Sequence, residues 1–414
     1  MATTLRIKTN GDTGSQGSHI AVFALLDALG WSYIRDRSFL PELDATRTSM
    51  QTVLGFSSAA IPTIISGLMP VEHGHWNALY RADGRSPFAW TRWLAWMPRV
   101  RGFHRRFRKV VEHACRYTSG CSGYFNLYDV PLRYLQYFDY NERRNAFAPG
   151  GLNRGRSIWD DIADAGLPFY LSLSPNTDQQ ALDGALSAIR QGQAPFLFMH
   201  LAAMDSFLHR YCDDEAAISQ RLLWYEERLR RLLDAAQERG LPLHMYAFSD
   251  HGMVPTRRTV DLMGLVESLD LRIPKDYLPF YDSTMARFWC NTDRAGHLLT
   301  LLLASLDCGR ILSDEELASL GVLFPNRRFG DLIFLAEPGV IIAPSYMGQN
   351  APRGMHGFHP NHELYDAMLI SNVAIPDPPT HIRDIHRLML AEVSSLAGSR
   401  TAAAKPQAVS REMA

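Results

Sequence analysis

Five short runs along the chain are almost wholly apolar: 20–26 (IAVFALL), 168–173, 196–201 (FLFMHL), 243–248 (LHMYAF) and 366–370. Runs of this length without alternation read as strands buried on both faces, the pattern of a parallel sheet covered on each side. Between them the period changes. Over 214–239, Ile218, Leu222, Tyr225, Leu229, Leu232 and Ala236 recur at steps of three and four, and Gly240 comes next as a stop. Ser313, Asp314, Glu315 and Glu316 open a further helix with a capping-box pattern. Buried strands alternating with amphipathic helices predict an α/β fold, with a largely parallel central sheet and helices on both faces. One stretch, about 80–150, departs from this rhythm. It is rich in Trp, Tyr, Phe and Arg, lacks strand alternation, and reads as a cap inserted into the domain.

Small and polar residues without a period mark 1–18 and 395–414 as flexible tails around one domain, 19–394. Composition then removes several classes. With 42 Lys+Arg against 43 Asp+Glu, no net field draws the whole protein to a nucleic acid duplex or an anionic membrane. The five cysteines, at 115, 121, 212, 290 and 308, are odd in number and form no CxxC pair. That argues against a disulfide framework or a zinc knuckle, and for ordinary apolar filling. The first residues hold no apolar segment of the kind a signal peptide needs, and no run of about 18 apolar residues is present to span a bilayer. The expectation is a cytoplasmic protein acting on a small molecule, its oligomeric state left open.

The residues just past three of the apolar runs carry the chemistry. FALLDALGW places Asp27 at the end of the first, FLFMHLAAMDSFLH places Asp205 and His209 beyond the third, and MYAFSDHGM places Asp250 and His251 directly after the fourth. In open α/β sheets ligands bind at the carboxyl ends of strands, so these side chains are expected to converge on one crevice. A single aspartate there is more often a helix cap or turn residue. Their conjunction is more telling, and Asp205 and His209 share a face if their segment is helical. Mixed oxygen and imidazole donors suit zinc first and manganese second. Residues 55–75 (GFSSAAIPTIISGLMPVEHGH) supply a group to act. Ile61, Ile64, Ile65 and Leu68 have helical spacing, with Ser57 and Ser58 at the start and Pro62 tolerable only near it. A serine at a helix start lies beside free backbone N–H groups that suit phosphate, although it can equally serve as a cap.

Taken in order, LLDALGW, SSAAIPTIISGLMPVEHG, DSFLH, SDHGM and GMHGFHP resemble the motifs of the alkaline phosphatase superfamily, in its type I phosphodiesterase/nucleotide pyrophosphatase branch. The resemblance runs from about Ile20 to Pro360 and takes in DSTMARFW at 282–289 and FGDLIFLAEPG at 329–339. It implies a nucleophilic Ser or Thr ten residues before a glycine, and counting back from Gly67 gives Ser57 rather than Ser58. It implies two divalent cations, most simply zinc. One would be held by Asp27, Ser57, Asp250 and His251, the other by Asp205, His209 and His356. The implied reaction cleaves a phosphodiester or pyrophosphate through a phosphoserine at Ser57, later hydrolysed by water. Two departures qualify it. Nucleotide pyrophosphatases often carry an asparagine three residues after the nucleophile, where this chain has Ala60. The CxPxR motif of type I sulfatases is replaced by Ser57-Ser58-Ala59-Ala60-Ile61, which argues against sulfatase chemistry.

Other residues take plainer readings. His359 and His362 fit a polar loop, and His73 and His75 a turn after Pro70. Arg287 reads as a phosphate ligand or, at least as well, as a helix-surface residue or half of a core ion pair. Segment 85–110 combines Trp90, Trp93 and Trp96 with Arg99, Arg101, Arg105, Arg106, Arg108 and Lys109. It reads best as a helix with its Trp face packed on the main domain and its arginines solvated, and otherwise as a cap over an acidic or aromatic leaving group or a membrane-surface helix. Beside the diesterase stand a phosphomonoesterase or phospho-group transferase of the same superfamily and, from another class, a non-catalytic metal-binding protein.

Overall fold

The computed structural model describes residues 19–94, 103–173 and 175–404, with side-chain placement over 19–94, 107–173 and 175–399. Its centre is a six-stranded sheet. The strands, in chain order, are β1 (Ile20–Leu26), β2 (Thr46–Met50), β3 (Phe169–Ser172), β4 (Phe196–Leu201), β5 (Leu243–Phe248) and β10 (Ala367–Ser371), arranged β2-β10-β5-β1-β4-β3. The pairings β1·β4, β1·β5 and β3·β4 are parallel, whereas β10 runs antiparallel to both β5 and β2. The predicted α/β class and largely parallel sheet are thus present. All five apolar runs are strands, three of them with the expected limits.

The alternation along β1 shows why its sequence is apolar throughout. Ala21, Phe23 and Leu25 enter the core on one face, while Ile20, Val22, Ala24 and Leu26 enter that on the other. Helices α1 (Ser57–Ser66) and α6 (Ile385–Ala404) pack on the first face. Helices α3 (Asp178–Gln191), α4 (Ala203–Tyr211) and α5 (Glu215–Glu238) cover the second. All six residues that define the period of α5 are buried, and Gly240, at φ +66°, ends that helix in a conformation glycine adopts without strain.

A second sheet has no counterpart among the predicted elements. Strands β6 (Tyr277–Tyr281), β7 (Met285–Cys290), β8 (Gly309–Ile311) and β9 (Leu332–Ala336) form a four-stranded antiparallel sheet ordered β6-β7-β9-β8. It shares one apolar core with the insertion, where Phe88, Val111, Leu127 and Phe138 meet Tyr277, Phe280, Phe288 and Trp289. Within the insertion, Leu79–Arg81 pairs antiparallel with Phe138–Tyr140, and α2 (Phe103–Ser119) is a long helix, so the stretch is not free of strands.

Three further expectations change. The expected tail from 395 continues as α6 to Ala404, because Val393 and Leu396 keep the helix on the core; 1–18 and 405–414 lie outside the described residues. Pro62 sits inside α1 rather than at its first turn, and proline offers no N–H to the Ser58 carbonyl. In the Trp/Arg segment, Trp90 is half-buried but Trp93 is exposed beneath the Arg92 guanidinium, 4.7 Å from its ring centre. Arg108 is not solvated: it donates to the Val130 and Leu127 carbonyls. Trp96, Arg99 and Arg101, and the side chains of Arg105 and Arg106, lie outside the described residues.

Candidate active site

The carboxyl ends of β1, β4 and β5 lie side by side, because Leu25 is in register with both His200 and Phe248. Asp27 follows β1, Asp250 and His251 follow β5, and α4 begins directly after β4, so one turn brings Asp205 to the same edge and the next brings His209. His356 arrives by a different route. It comes after a two-residue pairing of Gly354–Met355 with Val254–Pro255, itself just beyond the β5 loop.

Two clusters result. In one, donor atoms of Asp27, Asp250 and His251 all lie within 4.8 Å of one another; in the other, those of Asp205, His209 and His356 do. The clusters touch, for the His251 and His356 rings stack with centres 4.0 Å apart. Ser57 joins the first, its Oγ standing 3.2 Å from His251 Nε2. Ser58 turns away and donates to the Trp76 carbonyl at 2.9 Å. The structure therefore brings together all seven residues expected of the site, Ser57 included, and separates the two serines.

Two of the three imidazoles are aimed by their other nitrogen, whereas His356 Nδ1 is buried and makes no hydrogen bond among the described residues. His251 Nδ1 is 3.0 Å from the Gly252 carbonyl and His209 Nδ1 is 2.8 Å from that of Gly354, which leaves both Nε2 atoms facing the carboxylates. His251 Nε2 lies 3.3 Å from Asp250 and 3.8 Å from Asp27, and Asp205 Oδ1 is 3.3 Å from His209 and 3.5 Å from His356. The aspartates are aimed too. Asp250 Oδ1 accepts the Ala28 and His251 backbone N–H groups, and Asp27 Oδ2 is 2.7 Å from His200 Nε2.

The remaining oxygens carry the chemistry. Asp27 Oδ1, Asp205 Oδ1 and Asp250 Oδ2 are buried and have no hydrogen-bond partner among the described residues. Unpartnered carboxylate oxygens in a dry site are costly, and cations answer that cost while donor-only neighbours are few. The electrostatics agree. Burial and then the Asp250 charge push the Asp27 carboxyl up to about 7. Burial opposes ionisation of Asp205 as well, but the close His209 imidazole, with His356 beside it, holds its carboxyl below the usual range. Burial, reinforced by His251, holds the His356 imidazole far below its ordinary value, so it stands neutral with a lone pair to give. Carboxylates and imidazoles in this proportion fit divalent metals of the zinc type.

Several supporting residues escape a reading of the sequence. His200 interrupts an apolar strand, and a polar residue at an inward position of FLFMHL is its only signal. Tyr365, fully buried, donates to the Gly55 carbonyl and accepts from Gly357 N–H, tying the Ser57 side of the site to the His356 side. Asn77 is buried next to Trp76, and among the described residues its amide N–H meets only the Met285 sulfur, at 3.7 Å, a weak acceptor for a strong donor. The loops themselves are in close contact: a methyl group on Gly30 would lie 2.7 Å from Gly252 Cα, and one on Gly252 2.2 Å from the Leu364 carbonyl. The plainer readings hold elsewhere. His359 pairs with Glu316, His362 caps a short turn, His73 meets Thr63, and Arg287 forms a buried ion pair with Asp282 at 3.0 Å.

No curated protein matches the chain in sequence. Among solved structures it is similar to murine ectonucleotide pyrophosphatase/phosphodiesterase 5, an inactive threonine-to-alanine variant in complex with AMP, at TM-score 0.63 and 13% identity, covering 91% of this chain and 95% of that one. The human counterpart aligns at TM-score 0.63 and 12% identity over the same shares. At such identities the likeness is one of fold. The model of the type I phosphodiesterase / nucleotide pyrophosphatase family, however, matches residues 21–359, most of the chain and every residue of both clusters. The chain belongs to that family.

Proposed function

We propose that the protein hydrolyses phosphodiester or pyrophosphate bonds through a covalent phosphoserine at Ser57, with two divalent cations bound at the paired clusters. The observation that carries this is the convergence of three partnerless buried aspartate oxygens with Ser57 Oγ. When bound, cations of the zinc type would supply the positive charge that lowers the pKa of the serine hydroxyl and stabilises the phosphoryl and leaving oxygens. Asp27, Asp250 and His251, with Ser57 itself, would hold one, and Asp205, His209 and His356 the other.

The chain's own residues supply the rest. Ser57 Oγ attacks phosphorus, the bond to the leaving oxygen breaks, and the serine is left esterified; water then cleaves the ester from the opposite side and restores the hydroxyl. Ser57 opens α1 after Phe56, which makes no side-chain cap, so the first N–H groups of a ten-residue helix face the incoming phosphate. A nucleotide moiety on the substrate is in keeping with the family and with the AMP complex of the similar murine protein.

The zinc-loaded protein tested on bis-p-nitrophenyl phosphate and p-nitrophenyl phosphate should prefer the diester. Preference for the monoester would move the assignment to a phosphatase, and turnover of neither ester with both metals bound would point to a binding protein.

A further inference from the structure

We propose a third divalent-cation site, suited to zinc, at the opposite end of the central sheet, held by His19, His244 and Glu392. His19 precedes β1 and His244 lies near the start of β5, two strands that pair with Ile20 opposite Leu243. Their rings stack with centres 4.2 Å apart, and both reach one carboxylate. His19 Nε2 is 2.5 Å from Glu392 Oε2, and His244 Nδ1 is 2.8 Å from Oε1. A donor atom from each lies within 4.8 Å of the other two, the same spacing that marks the two clusters of the reaction centre. Tyr246 donates to Oε1 at 2.7 Å and fixes that end of the carboxylate from outside the triad.

The placement of Glu392 is what requires an explanation. It is 6% exposed and lies on α6 among Leu388, Met389, Val393 and Leu396, all in the core. A buried carboxylate is costly without compensating charge. Glu392 accepts from His19, His244 and Tyr246, but these hydrogen bonds bring no full charge unless an imidazole is protonated, and protonating both stacked rings would set like charges face to face. One divalent cation answers the carboxylate and both imidazole lone pairs together, and two imidazoles with one carboxylate are a donor set zinc uses. Eight residues of extended chain separate His19 from Asp27, roughly 25 Å. The site is therefore distinct from the reaction centre and takes no part in its chemistry. Its effect would be to clamp α6 to the amino ends of β1 and β5.

The test uses metal-stripped, full-length protein reloaded with Zn²⁺, desalted, and measured for metal content and melting temperature. Wild type should retain about three equivalents. The double variant Asp205→Asn with Asp250→Asn, which leaves this cluster untouched, should keep about one and still melt higher with zinc than without. Adding Glu392→Gln to that variant should remove both the last equivalent and the zinc-dependent shift. Glu392→Gln alone should lose one equivalent while retaining diester turnover. A double variant that binds no zinc would overturn the proposal and leave the triad a hydrogen-bonded clip. If the reaction centre instead held no metal, wild type and the double variant would both keep one equivalent, so the two proposals fail separately.

Discussion

The two sheets treat buried charge in opposite ways. In the four-stranded sheet, Asp282 and Arg287 are buried, but they face each other at 3.0 Å and the guanidinium donates to the Leu79 carbonyl. Its Nη2 makes no hydrogen bond among the described residues, but the group lies over the Phe280 ring, 4.5 Å from its centre. At the carboxyl edge of the six-stranded sheet, three aspartates each keep a buried oxygen without a partner. The first arrangement is closed: its charges neutralise one another and hold the insertion to the sheet through Leu79. The second is open, with charge concentrated beyond what its neighbours balance. Burial alone therefore does not mark a reactive site. An unbalanced sum of buried charge does, and in this molecule the two cases lie on neighbouring parts of one chain.

The contrast can be pressed by substitution. The largest effect is expected at Ser57: Ser57→Ala should lose several orders of magnitude in diester turnover yet retain metal, because three protein ligands remain. Near-normal turnover in that variant would sink the covalent step. Opening the closed pair comes next. Asp282→Ala should destabilise the protein by about 3–5 kcal/mol in a denaturant titration, since it strands a buried guanidinium, and Asp282→Ala with Arg287→Met should recover much of the loss. An unchanged midpoint would mean that the pair is not closed as described. Asp250→Ala and His356→Ala should each forfeit about one equivalent of reaction-centre metal, with little change in fold, because they relieve an unbalanced site instead of creating one. The smallest effect belongs to Ser58→Ala, which removes one hydrogen bond to Trp76 worth about 1 kcal/mol and should cost far less turnover than Ser57→Ala. If Ser58→Ala were the inactive variant, the nucleophile would have been assigned one residue early.

The same contrast explains what can be read from the sequence. Strands 20–26, 196–201 and 243–248 are legible to the residue because both their faces are buried, which leaves a nearly continuous apolar run with the aspartates beyond it. The four-stranded sheet is not, since YLPFY carries a proline, MARFWC an arginine, and GRI is only three residues long. Arg287 mimics a surface residue until Asp282, on the loop before its own strand, is seen to neutralise it. Asp27, Asp205, His209, Asp250 and His251 can be placed at strand ends by pattern. His356 cannot, for it arrives on a loop held by a two-residue pairing, and only the resemblance of GMHG names it. Tyr365 and the contact between Gly30 and Gly252 leave no trace, because both depend on distant segments meeting.

That glycine contact governs how mutational data on this protein should be interpreted. Gly30 and Gly252 carry no reactive atom, yet a methyl group on Gly30 would press on Gly252 Cα and one on Gly252 would press on the Leu364 carbonyl, so that either would displace the loop that presents Asp250 and His251. In a saturation screen scored by activity alone, both positions would look as intolerant as the aspartates. Soluble yield separates them: Asp250→Ala should accumulate as folded, silent protein, whereas Gly252→Ala should be depleted before any assay begins.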